Sequence, residues 1–88
     1  MTKIAFSEKA WDDYCEMQGI DKKYLIKVNK LIKDAQRNPI SGAGKPERLI
    51  GLGENVWSRR INDKDRLVYE IRSDTIFIRQ CKGHYTDK

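Results

Sequence analysis

The chain has 88 residues, 35% of them charged and 39% hydrophobic, with a formal net charge of +5. That balance fits one small folded domain and excludes a disordered chain; no segment approaches the ~20 consecutive apolar residues a membrane span needs, so no membrane partner is expected. Cys15, Cys81 and a single histidine are too few and too scattered for a disulfide framework or a metal cluster, which fits a reducing cytoplasm, while the positive balance favours anionic partners only weakly.

In chain order, Lys3 to Phe6 predicts a short strand, and Ser7 is a suitable N-cap for a helix on which Trp11, Tyr14 and Cys15 recur on one face up to Gly19. Asp21 can cap a second helix whose apolar stripe is Leu25, Val28, Ile32 and Ala35, widened by Tyr24 and Leu31 and stopped at Asn38-Pro39. Its other face carries Lys22, Lys23, Lys27, Lys30 and Lys33, a solvated face that could also meet RNA phosphates. About two residues separate the helices, which implies an αα-hairpin.

Residues 40–46 are rich in glycine and proline and read as a loop, after which Glu47 opens a short strand through Leu49 and Ile50. Gly51-Leu52-Gly53 breaks it, and three strand-like runs follow at Val56 to Ile61, Arg66 to Ile71 and Thr75 to Cys81, joined by short polar turns. Alternation puts Leu67, Tyr69 and Ile71 on one face and Arg66, Val68 and Glu70 on the other. The fold class is therefore α+β: a short N-terminal strand, then a two-helix hairpin packed on one face of a largely antiparallel sheet of four to five strands, with the other face free for a ligand. Trp11, Tyr14, Leu25, Val28 and Ile32 are assigned to the core, Trp57 joins Ile61 there, and Cys81 reads as a buried strand cysteine.

His84, next to Tyr85 at the end of the last strand, is an odd place for a packing residue, and an imidazole is the usual choice for moving a proton near neutrality. Taken singly, Glu47 reads as a surface residue at a strand start, Arg66 as a solvated residue or a partner of Glu70, and His84 as no more functional than incidental. Their joint occurrence changes the balance. Trp11-Asp12-Asp13-Tyr14, Gly42-Ala43-Gly44-Lys45-Pro46-Glu47, Trp57-Ser58-Arg59-Arg60-Ile61, Arg66-Leu67-Val68-Tyr69 and His84-Tyr85 together resemble, in order over residues 3 to 85, the YoeB/Txe toxins, a branch of the RelE-type mRNA interferases.

The resemblance implies a microbial-RNase-like toxin of a toxin-antitoxin pair that enters the A site of the 70S ribosome, cleaves mRNA, and is neutralised by a YefM/Axe-like antitoxin; similar toxins often pair as homodimers. It implies Glu47 as general base, Arg66 on the phosphate, His84 as general acid and Tyr85 holding the substrate, with Arg60 among the RNA-contacting groups. Lys45, Arg48, Arg59 and Lys82 complete the expected RNA-binding set. The chain departs from the family pattern at Ile50, where a lysine is common, with Arg48 the expected replacement for that charge, and at Gly83, where an aromatic residue is common.

The chemistry asks for these residue types. Cleavage by the neighbouring 2′-hydroxyl needs a base for that proton, an acid for the departing 5′-oxygen, and cations for the five-coordinate phosphorus, with no metal and no other cofactor. A guanidinium fork matches two phosphate oxygens. Glu47 would be a better base if burial raised its pKa, and the arginines oppose that, so the reversed assignment with His84 as base stays open. Two other classes are a non-enzymatic ParE-like toxin that binds DNA gyrase and a plain nucleic-acid-binding module; His84 speaks against the first and the anion-repelling Glu47 against the second.

Overall fold

Two short polar side chains decide where the helices begin. In the computed structural model, which describes residues 2–83, β1 (Lys3–Phe6) leads into α1 (Glu8–Ile20), and Ser7 Oγ accepts from the Ala10 N–H at 3.1 Å. Asp21 serves both helices: its N–H closes α1 on the Met17 carbonyl at 3.1 Å, and its carboxylate caps α2 (Lys22–Arg37) by accepting from the Tyr24 N–H at 3.1 Å. One residue thus ends one helix and starts the next, giving the expected hairpin.

The sheet has the order β1-β5-β4-β3-β2, with β2 at Glu47–Arg48, β3 at Val56–Arg60, β4 at Arg66–Arg72 and β5 at Thr75–Gln80. β1 runs parallel to β5, and every other neighbouring pair is antiparallel. The predicted α+β architecture is the observed one. A register shift between Val68 and Tyr69 opposes those residues to Gln80 and Ile78, so Arg79 is the extra residue of a bulge.

Alternation sorts the two faces. Toward the helices lie Leu67, Tyr69, Ile76 and Ile78, all fully buried, against Val28, Leu31, Ile32 and Ala35 of α2. Each buried aliphatic side chain contributes about 1.5–3 kcal/mol of apolar burial. α1 docks through Ala10, Tyr14 and Met17 rather than through Trp11, Tyr14 and Cys15. Trp11 is 50% exposed, contrary to its assignment to the core. The methyl of Ala10 lets the helix sit close to the sheet, and the indole lies to one side, stacked on Tyr14 at 5.9 Å and edge-on to Phe6 at 5.5 Å.

The opposite face is not wholly free. Leu49, Val56 and Val68 form a second buried cluster there, and Arg79 Nη1 donates to the Leu52 carbonyl at 3.3 Å across it. β2 stops at Arg48 instead of running through Ile50, and Ile50 is 82% exposed on the turn that follows. What stays open is the end of the face beyond this cluster.

Candidate active site

Strand register builds the site. Glu47 stands opposite Ser58, Ser58 opposite Val68, and Arg60 opposite Arg66. Because side chains alternate, Glu47, Ser58, Arg60, Arg66 and Val68 share the face away from the helices, with Arg60 and Arg66 one two-residue step beyond the row of Glu47, Ser58 and Val68. Two strand spacings and one two-residue step separate the Cα atoms of Glu47 and Arg66 by roughly 12 Å, a gap that long side chains can close around one phosphate. Glu47 and Arg60 are exposed and Arg66 is partly buried.

Arg66 is preset by the turn before it. Asn62 Oδ1 accepts from the N–H groups of Lys64 (2.9 Å) and Asp65 (2.7 Å), which turns the carbonyls of Asn62, Asp63 and Asp65 toward Arg66 Nη1 at 2.8, 3.3 and 3.1 Å. Only Nη1 is used in this way. The Nε and Nη2 edge makes no hydrogen bond among the described residues, and such an edge of a guanidinium has the geometry to match two oxygens of one anion. Glu70 does not take Arg66 as its partner: it accepts from Arg72 at 2.9 and 3.2 Å and lies 3.8 Å from Arg79. The Arg72 hydrogen bond, more than either charge, holds its carboxyl below the usual range.

The chain's last described residue arrives beside Arg66. The Gly83 carbonyl accepts from the Arg66 N–H at 2.9 Å and from Gln80 Nε2 at 2.9 Å. His84 and Tyr85 lie outside the described residues. A recess of about 400 Å³ borders the same turn, lined by Met17, Ile20, Tyr24, Asp65 and Gly83 among others, but it opens toward the helix hairpin.

Three of the expected RNA contacts stand elsewhere. Arg59 is 0% exposed and faces the helices, because the alternation that puts Trp57 and Ile61 in the core carries Arg59 with them. Its guanidinium is consumed by Asp34, by the Tyr69 hydroxyl and by the carbonyls of Asn38, Ser41 and Ala43. Arg48 pairs with Trp57 and so faces the side opposite Glu47, which removes it as a replacement for a charge near the carboxylate. Lys82 is drawn to α1, with Nζ 3.1 Å from Glu16 Oε1. Lys45 is exposed on the loop before β2, with a left-handed φ of 51°.

Sequence reasoning missed Asp34 and Tyr69 as partners of Arg59, and Gln80 as a partner of the Gly83 carbonyl. The period-two rule gave a signal for Tyr69 and Arg59, and nothing local marked the other two. Cys81 is buried as expected; burial first, then the nearby Asp13 charge, pushes its thiol up to about 11, and Sγ donates to the Ala10 carbonyl at 3.4 Å. Among the described residues no three His, Cys, Asp or Glu side chains come together as a metal site, and no helix is long and apolar enough to cross a membrane.

The family model for YoeB-like toxins of bacterial type II toxin-antitoxin systems matches residues 6–85. The chain belongs to that family. It is similar to Toxin YoeB of Escherichia coli (strain K12), 46% identical over 94% of this chain and 99% of the relative. Among solved structures it resembles a YoeB/ParE toxin from Agrobacterium tumefaciens, with a TM-score of 0.90 and 38% identity, over 96% of this chain and all of that one. It also resembles a chain of the heterotetrameric YoeB-YefM toxin-antitoxin complex from Staphylococcus aureus, with a TM-score of 0.85 and 43% identity, over 97% and 99% of the two chains. The YoeB-like match spans every sequence-expected site residue, from Lys45 and Glu47 through Arg66 to His84 and Tyr85.

Proposed function

We propose that this YoeB-like toxin is a ribosome-dependent endoribonuclease that cuts mRNA in the A site through its own 2′-hydroxyl. The observation that supports the reading is the strand register that sets Glu47, Arg60 and Arg66 on one face of the sheet, with Gly83, the neighbour of His84 in sequence, hydrogen-bonded to the Arg66 backbone. In this mechanism Glu47 takes the 2′-hydroxyl proton and the oxygen attacks the adjacent phosphorus. The bond to the 5′-oxygen breaks as His84 delivers a proton to it, leaving a 2′,3′-cyclic phosphate upstream and a 5′-hydroxyl downstream. The open edge of Arg66 and the exposed guanidinium of Arg60 favour the extra negative charge of the five-coordinate state, and Tyr85 steadies the substrate.

The exposure of Glu47 explains why such a toxin would need the ribosome. A solvated glutamate is a feeble base, and an 88-residue chain with an open face cannot impose in-line geometry on a flexible strand. A ribosomal A site can do both, by holding the mRNA and by covering the carboxylate. The same basic, uncovered face suits an acidic antitoxin segment of the YefM kind that folds on binding and occupies the phosphate's place.

Primer extension on mRNA bound to translating ribosomes tests the proposal. Wild type should cut at the A-site codon, and Glu47→Ala, Arg66→Ala and His84→Ala should each lower the rate about 10²–10⁴-fold with the fold intact. Unchanged cleavage by both Glu47→Ala and His84→Ala would refute the acid-base assignment. Loss of gyrase supercoiling with no mRNA cleavage would favour the ParE-like alternative instead.

A further inference from the structure

The catalytic carboxylate of the reading above stands on the weakest strand of the sheet. β2 has two residues and lies at the edge, so its own ladder cannot fix Glu47 in place. Upstream, residues 38–46 have no regular structure, yet the carbonyls of Asn38, Pro39, Ser41 and Ala43 each accept a hydrogen bond from a buried side chain of the sheet. Arg59 Nη2 donates to the Asn38 carbonyl and, at 2.8 Å, to that of Ser41; Nη1 donates to the Ala43 carbonyl at 3.0 Å. Tyr69 accepts from Arg59 Nε at 3.0 Å and donates to the Pro39 carbonyl at 2.6 Å. Asp34 Oδ2 accepts from Arg59 Nη1 at 2.5 Å and from the Ala43 N–H at 2.9 Å.

The loop is moulded on this buried cation. Gly42 and Gly44 have φ of 109° and 81°, and a Cβ on Gly42 would lie 2.2 Å from Asp34 Oδ2, while one on Gly44 would lie 2.9 Å from Leu31 and 3.0 Å from the Cβ of Arg59. The Gly44 carbonyl then accepts from the Arg60 N–H at 2.7 Å, and Glu47 follows three residues on. A packed apolar side chain usually serves stability as well as a buried ion pair does, so stability alone does not call for arginine here; a unique loop geometry does.

We propose that Arg59, with Tyr69 and Asp34, is a positioning cluster that holds residues 38–46 from behind the sheet and thereby sets where Glu47 stands relative to Arg60 and Arg66. Neither Arg59 nor Tyr69 touches substrate; both act through the loop and through the Arg60 backbone. The claim about catalysis rests on the function proposed above, and the claim about the loop does not.

Tyr69→Phe tests it, because it keeps the ring in the core and removes only the hydroxyl that bridges Arg59 and Pro39; Asp34→Asn is the second variant should the first fold poorly. Hydrogen exchange reads the loop without any cleavage. The Ala43 and Arg60 amides, bonded to Asp34 and to the Gly44 carbonyl, should exchange at least tenfold faster in the variant while the Ile71 amide, bonded to the Asn55 carbonyl, keeps its rate. Unchanged rates, or a uniform rise at all three amides, would overturn the proposal.

Single-turnover cleavage on programmed ribosomes reads the consequence. Tyr69→Phe should slow the saturated rate at least tenfold when Glu47 is present and less than twofold in a Glu47→Gln background, with half-saturation unchanged. Equal factors in both backgrounds would mean a merely structural role and would sink the positioning claim. A wild type that cleaves nothing would end the endoribonuclease reading, and the exchange rates would still decide the loop.

Discussion

Arg59 and Arg60 are neighbours on β3 with the same side chain and opposite fates. Arg59 is fully buried among five polar atoms on the helix side, and Arg60 is exposed on the open side across from Arg66. The contrast belongs to the two faces of the sheet. Behind, a saturated network and an apolar core over-determine the backbone; in front, Glu47 and Arg60 are exposed, and Arg66 keeps its Nε and Nη2 edge unbonded among the described residues. A rigid rear that presents an under-satisfied front is what a small phosphate-handling site requires, since the charges must be placed before the ligand supplies their partners.

Breaking the rear should be the costliest change. Arg59→Ala takes the guanidinium away from Asp34 and from the carbonyls of Asn38, Ser41 and Ala43 and should destabilise the chain by about 3–5 kcal/mol, whereas Arg60→Ala should stay within about 0.5 kcal/mol. Urea unfolding of the pair measures this, and equal midpoints would contradict the division between the faces. The same contrast holds for apolar neighbours on β4. Leu67→Ala, on the helix side, should cost about 2–5 kcal/mol. Val68→Ala, which faces only the small cluster with Leu49 and Val56, should cost about 1.5 kcal/mol, from the two carbons removed. A larger loss at Val68 than at Leu67 would mean that the second cluster, not the helix-backed core, holds the sheet.

The elements and their order were legible because each rests on short-range signals: Ser7 and Asp21 as caps, the Val28–Ile32–Ala35 stripe, and the turn residues between the strands. The parallel pairing of β1 with β5 was not, since nothing in Lys3 to Phe6 names its partner across more than 70 residues. Trp11 departs from the expectation because the helical spacing of Trp11 and Tyr14 predicts one buried aromatic stripe, while the docking face of α1 is set by the smallest residue, Ala10. Arg59 misled for a different reason. The alternation that placed Trp57 and Ile61 inward places Arg59 inward too, but a charge is not assigned to a core until its partners are known, and Asp34 lies on another element. The placement of Glu47 and Arg66 on one face depends on the register of three strands, which composition and periodicity do not specify.

The smallest expected effect probes the rear network by pH. The Ala43 N–H first, and then the Arg59 hydrogen bond, hold the Asp34 carboxyl below the usual aspartate range. Between that lowered folded value and the unfolded value near ~3.9, the unfolded chain binds the extra proton, so stability rises with pH across this window and is flat above it. The contribution is complete at neutrality and is lost as pH falls through the folded pKa. Tyr69 bounds the other side: burial, against the pull of Arg59, raises its hydroxyl, so its contribution is intact below about 10, the unfolded value, and fades as pH climbs through the folded one. Glu70 and other carboxylates also titrate in acid, so the test is a difference. Denaturant midpoints of wild type minus Asp34→Asn should narrow below pH 4 and stay level from 5 to 9, and those of wild type minus Tyr69→Phe should narrow only above 10. A difference that instead changes through neutrality would mean that some other titrating group, not this network, holds the loop behind Glu47.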